Sequence, residues 1–193
     1  MKKILFYCQS SNGIGHLIRS LIISKHLAAE NEVVLLYGGS KVDLQIPSKV
    51  KFVQLHSLMD DKLNRENLIT TEVDLSVDAV KELRVKSILS ILRSFDPNFI
   101  IFDQFPFGRA NFLFEIKEML NYANDNNISV LGSFFGVVNK KRITDSYKKR
   151  LLFYIKYFDK IFVHTDPSIV NILGLEVYDN ISDKVVYTGY LPD

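Results

Sequence analysis

The run Asn12-Gly13-Ile14-Gly15-His16-Leu17-Ile18-Arg19 holds the residues best suited to chemistry. Glycines at 13 and 15 let a backbone turn tightly and approach a ligand closely. A helix opening there presents unpaired N–H groups and the positive end of its dipole, which suits a phosphate or another anion. His16 stands at the helix start, and an imidazole changes charge near neutral pH, so it can take a proton from a hydroxyl. Arg19, one turn on, adds positive charge. The plainer alternative is a polar helix start with no chemistry.

The elements that must position this run follow from the pattern of apolar residues. Short apolar, β-branched runs alternate with longer segments of helical period, which marks βαβ units and a parallel sheet. Strands are predicted at Ile4 to Cys8, Val33 to Tyr37, Lys51 to Leu55, Phe99 to Phe102, Ile128 to Ser133, Lys160 to His164 and Lys184 to Thr188. Helices are predicted from about His16 to Ala29, Leu75 to Phe95, Arg109 to Asp125 and Ser146 to Tyr157. In the first, Leu17, Ile18, Leu21, Ile22, Ala28 and Ala29 should face the sheet. In the second, the stripe is Val80, Leu83, Ile88, Ile91, Leu92 and Phe95, and Asp96-Pro97-Asn98 stops it. Ser57 to Asp74 has mixed polarity and fits no element. The fold class is α/β: a Rossmann-like, doubly wound, mostly parallel sheet of about seven strands in one domain.

In such a sheet ligands bind beyond the carboxyl ends of the strands. The glycine run, Gly38 and Gly39, Asp103 to Arg109, Phe134 to Val138 and His164 to Pro167 all follow predicted strands, so they should meet on one rim. Asp103 either orients a hydroxyl and assists His16 or simply caps its strand. Arg109 either holds a phosphate or carboxylate, or begins a helix and pairs with Glu115. Phe105, Pro106 and Phe107 read as a rigid packed turn, and Asp166 before Pro167 as a cap. His164 is open between the two kinds of role, and His26 and His56 read as surface or packing residues. A dinucleotide fingerprint is incomplete, since Ile18 takes its third glycine and Tyr37-Gly38-Gly39 stands where an acidic residue should be. No phosphate-binding Walker sequence occurs.

Composition narrows the function further. A net charge of +2 does not argue for nucleic acid. Eight Lys/Arg against Asp145 and Asp159 lie between Lys140 and Lys160, a local +6 that leaves about −4 for the remainder. That basic face is either simply solvated or a peripheral contact with anionic membrane through Lys140–Arg150, with Phe134, Phe135, Val137 and Val138 inserting shallowly. Cys8, the single cysteine, reads as a buried structural thiol. Four scattered histidines lack metal-ligand spacing, and no metal is expected. No apolar run approaches the ~18 residues of a membrane span. The chain is expected to be cytoplasmic, with any membrane contact on the inner face.

The Gly-Ile-Gly-His-Leu-Ile-Arg turn after the first strand resembles the first loop of GT-B glycosyltransferases, including the peptidoglycan lipid-intermediate N-acetylglucosaminyltransferase. Phe105-Pro106-Phe107-Gly108-Arg109 with Phe114-Glu115, Val163-His164-Thr165-Asp166-Pro167 and Tyr187-Thr188-Gly189-Tyr190 resemble a group of bacterial predicted glycosyltransferases. Ser133-Phe134-Phe135-Gly136 departs from the Ser-x-Arg-Asp of some relatives. The resemblance implies an N-terminal acceptor-binding domain over residues 1–193, with the donor-binding C-terminal domain absent from this chain. The implied reaction is inverting transfer of a sugar from a nucleotide-sugar, a co-substrate rather than a cofactor, to the hydroxyl of an acceptor glycan or lipid-linked sugar. His16 and Asp103 are the expected catalytic residues. Asn12, Gly13, Ile14, Gly15, Arg19, Gly38, Gly39 and Arg109 are the expected acceptor contacts. By itself the chain should be inactive. The rival expectation is a non-catalytic acceptor-binding or membrane-contact subunit that pairs with a separate donor-binding protein.

Overall fold

The computed structural model describes residues 1–10, 13–64, 67–135, 143–168 and 181–190. In chain order the strands are β1 (Lys3–Cys8), β2 (Glu32–Tyr37), β3 (Val50–Gln54), β4 (Leu58–Asp60), β5 (Leu68–Thr70), β6 (Phe99–Asp103), β7 (Ser129–Phe134), β8 (Lys160–Val163) and β9 (Val185–Tyr187). The helices are α1 (Gly15–Leu27), α2 (Val77–Phe95), α3 (Leu113–Asp125) and α4 (Asp145–Tyr154). Seven strands form one parallel sheet in the order β3-β2-β1-β6-β7-β8-β9. The fold class is therefore as the alternation predicts.

Both sheet faces are apolar because a parallel sheet is covered on both sides. Ile4, Phe6 and Cys8 pack with Leu17, Leu21 and Ala28 of α1. Leu5, Tyr7, Ile100 and Phe102 point the other way, into a larger core with α2, α3 and α4. Burial pushes the Cys8 thiol up to about 12, with the Asp103 carboxylate adding to it, so this thiol is inert near neutral pH.

Several expectations are corrected. The unassigned stretch contains an antiparallel hairpin, β4 paired with β5. Ile18 of α1 is exposed, and Ser20 and Ser24 face inward instead. Arg109 does not open a helix: it holds a left-handed φ of 62° before a short 3-10 turn, and α3 starts at Leu113. Phe134 is not available to a membrane. It is buried against Phe107, with ring centroids 4.3 Å apart. Residues 136–142, including the first part of the basic segment, lie outside the described residues.

The stripe of α2 holds Val80, Ile88 and Leu92 buried, with Ile91 and Phe95 packed against the core as expected, but Arg84 lies in it where Leu83 was expected. Ser76 caps the helix by accepting the Ala79 N–H, and Asp96 ends it in a left-handed turn. The buried positions are Val80, Arg84, Ile88 and Leu92, four residues apart. Arg84 is completely buried, and its five N–H donors are all taken. Nε and Nη2 donate to the two oxygens of Glu115, and Nη2 also reaches Gln9 Oε1 at 2.8 Å. Nη1 donates to the carbonyls of Gly38 and His56 at 2.9 and 2.8 Å. Tyr7 donates its hydroxyl to Glu115, which is equally buried. Burial, helped by Glu115, holds the Tyr7 phenol well above its usual pKa. Burial alone would weaken the Arg84 charge, but the Glu115 carboxylate outweighs it and raises the pKa.

This knot ties α2 and α3 to the chain leaving β1, β2 and β3. It also explains Gly38, where an added Cβ would lie 2.0 Å from Gln9 Oε1 and 2.3 Å from Arg84 Nη2. Both atoms belong to groups pinned by hydrogen bonds, so they cannot swing clear. Gly38→Ala is expected to cost about 2–3 kcal/mol in urea unfolding. A loss below about half a kcal/mol, the range of harmless surface changes, would show that the knot yields easily.

Candidate functional site

The strand order reverses beside β1. From there β2 and β3 extend in one direction, and β6 to β9 in the other. Such a switch point leaves a crevice at the carboxyl ends of the central strands, where doubly wound sheets bind ligands. The turn after β1 and the last residue of β6 both lie there.

His16 and Asp103 meet at this place, with Nδ1 of the ring 2.8 Å from Oδ2 of the carboxylate. Asp103 is 4% exposed and His16 27%, so the acid is sheltered and the ring reaches solvent. Arg109 Nη2 donates to the same oxygen at 3.3 Å. Arg19 Nη2 lies 3.1 Å from His16 Nδ1 and its guanidinium stacks over the Phe135 ring at 4.5 Å. Nδ1 cannot both accept from Arg19 and donate to Asp103. A lone pair facing a carboxylate oxygen at 2.8 Å would be repelled, so the proton belongs on Nδ1 and the bond to Asp103 is the one made. In the neutral ring Nε2 is then the unprotonated nitrogen. A ring held this way, with a buried carboxylate behind it, can accept a proton from a hydroxyl and stabilise the imidazolium that results.

The surrounding turn is open. Gly13 has φ 71°, a left-handed conformation that glycine adopts without strain. Gly13, Ile14 and Gly15 are exposed, and Ile14 caps α1 without any side-chain bond, so among the described residues no side chain caps this helix N-terminus. Asn12 lies outside the described residues. Thus Gly13, Ile14, Gly15, His16, Arg19, Asp103 and Arg109 come together on one rim. Gly38 and Gly39 do not reach it. Both are buried, Gly38 under Arg84 and Gly39 against the Tyr37 ring, so packing accounts for these glycines. Glu115 is the partner of Arg84 rather than of Arg109.

His164 lies on the same edge. It is buried, with Nε2 2.9 Å from Ser133 Oγ and Nδ1 2.8 Å from Thr188 Oγ1. Burial lowers its pKa to about 4; Asp103 opposes that fall and Arg19 adds to it. His164 is therefore a neutral bridge between β7 and the end of β9. Below its ordinary value of 6.5 the unfolded chain binds a proton that the folded chain refuses until about 4. Stability should fall over that window by on the order of 2–3 kcal/mol. His164→Gln should flatten the profile in denaturant titrations from neutral pH downward. An identical slope in wild type and variant would contradict a buried neutral ring.

Asp166, beside it, accepts from Ser168 Oγ and N, and those bonds hold its carboxyl below the usual range, in keeping with a turn cap. Phe105 and Phe107 are buried and the Phe105–Pro106 bond is cis, as a packed turn would have it. Among the described residues, no three His, Cys, Asp or Glu side chains group as metal ligands.

Sheet order and rim together define a Rossmann-like α/β domain. No family model matches the sequence, and no curated protein does. Solved structures do match in fold. Phytolacca americana UGT2 shares 17% identity at a TM-score of 0.59, over 100% of this chain and 52% of that one. Medicago truncatula UGT71G1, complexed with UDP-glucose, shares 13% identity at 0.59, over 100% and 52%. The UDP-GlcNAc 2-epimerase of Methanocaldococcus jannaschii shares 13% at 0.53, over 97% and 45%. The chain thus spans about half the length of these proteins, and at such identities the likeness is one of fold. Its particular similarity to the peptidoglycan lipid-intermediate enzyme is not among these findings.

Proposed function

We propose that this chain is the acceptor-binding half of a glycosyltransferase, moving a sugar from a nucleotide-sugar to an acceptor hydroxyl with inversion. The observation that carries the reading is the His16–Asp103 pair at the switch point. The acceptor hydroxyl gives its proton to His16 Nε2 as its oxygen bonds to the anomeric carbon. The bond from that carbon to the diphosphate breaks, and the nucleoside diphosphate leaves with the electron pair. Asp103 holds the ring and balances the imidazolium, and Arg109 fixes Asp103. The open α1 N-terminus and Arg19 suit an anionic acceptor group such as a phosphate.

A donor-binding domain, on the same or a separate chain, completes the cleft. This half alone transfers nothing. Similarity to structures that hold UDP or UDP-glucose supports a nucleotide-sugar as co-substrate. The decisive assay measures nucleotide release and product formation by the complete protein across a nucleotide-sugar panel. Acceptor-dependent release with an inverted product supports the proposal. Epimerised sugar without transfer would redirect it toward the other chemistry found on this fold. Among the described residues no helix is long and apolar enough to cross a membrane. Any membrane contact would be peripheral and would require the basic face around α4 to bind anionic vesicles.

A further inference from the structure

At the opposite edge of the sheet, far from His16, a groove of about 630 Å³ runs between the end of α3 and the turn after α4. A second groove of about 340 Å³ continues it along α3, sharing Leu120, Asn121, Phe153 and Tyr157. The strands between the two edges are five or six residues long, so about 20 Å separates this place from the catalytic rim.

The lining has a consistent chemistry. Phe153 stands 57% exposed at the junction, and Tyr157 is half-buried beside it. Asn121 and Asn124 lie on the last turns of α3, and Asn127, two residues past its end, takes a φ of 53°. The side chains of Asn121 and Asn127 and the Tyr157 hydroxyl have no hydrogen-bond partner among the described residues. The one carboxylate in the groove, Asp159, is engaged with Ser129 Oγ and the Val130 N–H. Among the described residues the cations are Lys156 in the first groove and Lys117 in its continuation.

Amides that can both donate and accept match vicinal hydroxyls, each of which does the same. An exposed aromatic face attracts the weakly positive C–H face of a pyranose ring. Two lysines, one in each groove, give too little charge for a polyanion, and among the described residues a free carboxylate to favour a cation is lacking. The volume lies within the range of ligand sites.

We infer that this groove binds a neutral oligosaccharide, stacked on Phe153 and hydrogen-bonded by Asn121, Asn127 and Tyr157, as a non-catalytic glycan site. Its distance from His16 makes it a tether for a longer chain rather than a part of the reaction. It stands independently of the proposed transfer, because binding by this chain alone is enough.

Amide NMR of this chain with cellohexaose, chitohexaose and maltohexaose tests it. At least one should shift the amides around Asn121, Asn127 and Tyr157 with millimolar affinity. Phe153→Ala should weaken binding by about tenfold, and Asn121→Ala should weaken it too. Both sites are solvent-exposed, so unchanged thermal melting should accompany the loss. Absence of shifts with all three sugars would overturn the inference, as would shifts confined to the His16 rim. Binding of phosphatidylglycerol vesicles that depends on Phe153, without any sugar binding, would also overturn it and make this a membrane contact.

Discussion

Glu115→Ala should cost about 3–5 kcal/mol of folding stability, the largest loss expected from any single substitution considered. Arg84 and Glu115 are both completely buried. Removing the carboxylate leaves a guanidinium in the core with only neutral partners and strips the Tyr7 hydroxyl of its acceptor. Against a total stability of about 5–15 kcal/mol, that is a third or more of what holds the domain together. Attraction between the charges is not the whole cause, since a well-packed apolar replacement of such a group can be neutral. The triple change Tyr7→Phe, Arg84→Met and Glu115→Leu should recover only part of the loss, because the carbonyls of Gly38 and His56 and Gln9 Oε1 then lose their donor. Urea unfolding measures both. A Glu115→Ala variant within about 1 kcal/mol of wild type would mean that the knot is not the organiser of this rim.

His16→Ala should lower transfer by the complete protein by about 10²–10⁴-fold, the usual contribution of general acid–base catalysis. Folding stability should change little, because the ring is partly exposed and Asp103 keeps its Arg109 partner. Asp103→Asn should also be severe, since an amide can turn a hydrogen-bond donor toward Nδ1 and stabilise the wrong tautomer. The two losses should not add, because the carboxylate acts through the imidazole. If His16→Ala kept full activity, another base would have to be sought, and if Asp103→Asn alone were silent, the ring would need no orienter.

The parts of this architecture readable from sequence are those that repeat. Apolar strands alternating with helical stripes specify the parallel sheet, and the order of the runs places His16 and Asp103 at strand ends. Their contact comes from the switch of strand order, which joins residues 87 positions apart through pairing of β1 with β6. The hairpin was illegible because its strands have only three residues each, too few to show a period of two. Arg84 hid for a different reason. A charge within a stripe reads as a solvent-facing position, and nothing local announces a glutamate 31 residues on. The one available signal was the four-residue spacing of Val80, Arg84, Ile88 and Leu92, in register with the buried face. Ile18 misleads in the opposite sense, because hydrophobicity alone does not reveal that its neighbourhood is an open rim. Gly38 looked like a ligand contact because it follows a strand, whereas the buried guanidinium beneath it was invisible.

The proposed proton transfer depends on an imidazole whose proton is fixed on the inner nitrogen by a sheltered carboxylate. Nitrogen–proton correlation NMR of the His16 ring at neutral pH, in this chain, observes that directly. It should show Nδ1 protonated and Nε2 bare, with the preference lost in Asp103→Asn. A ring protonated on Nε2, its Nδ1 accepting from Arg19 and indifferent to Asp103, would contradict it.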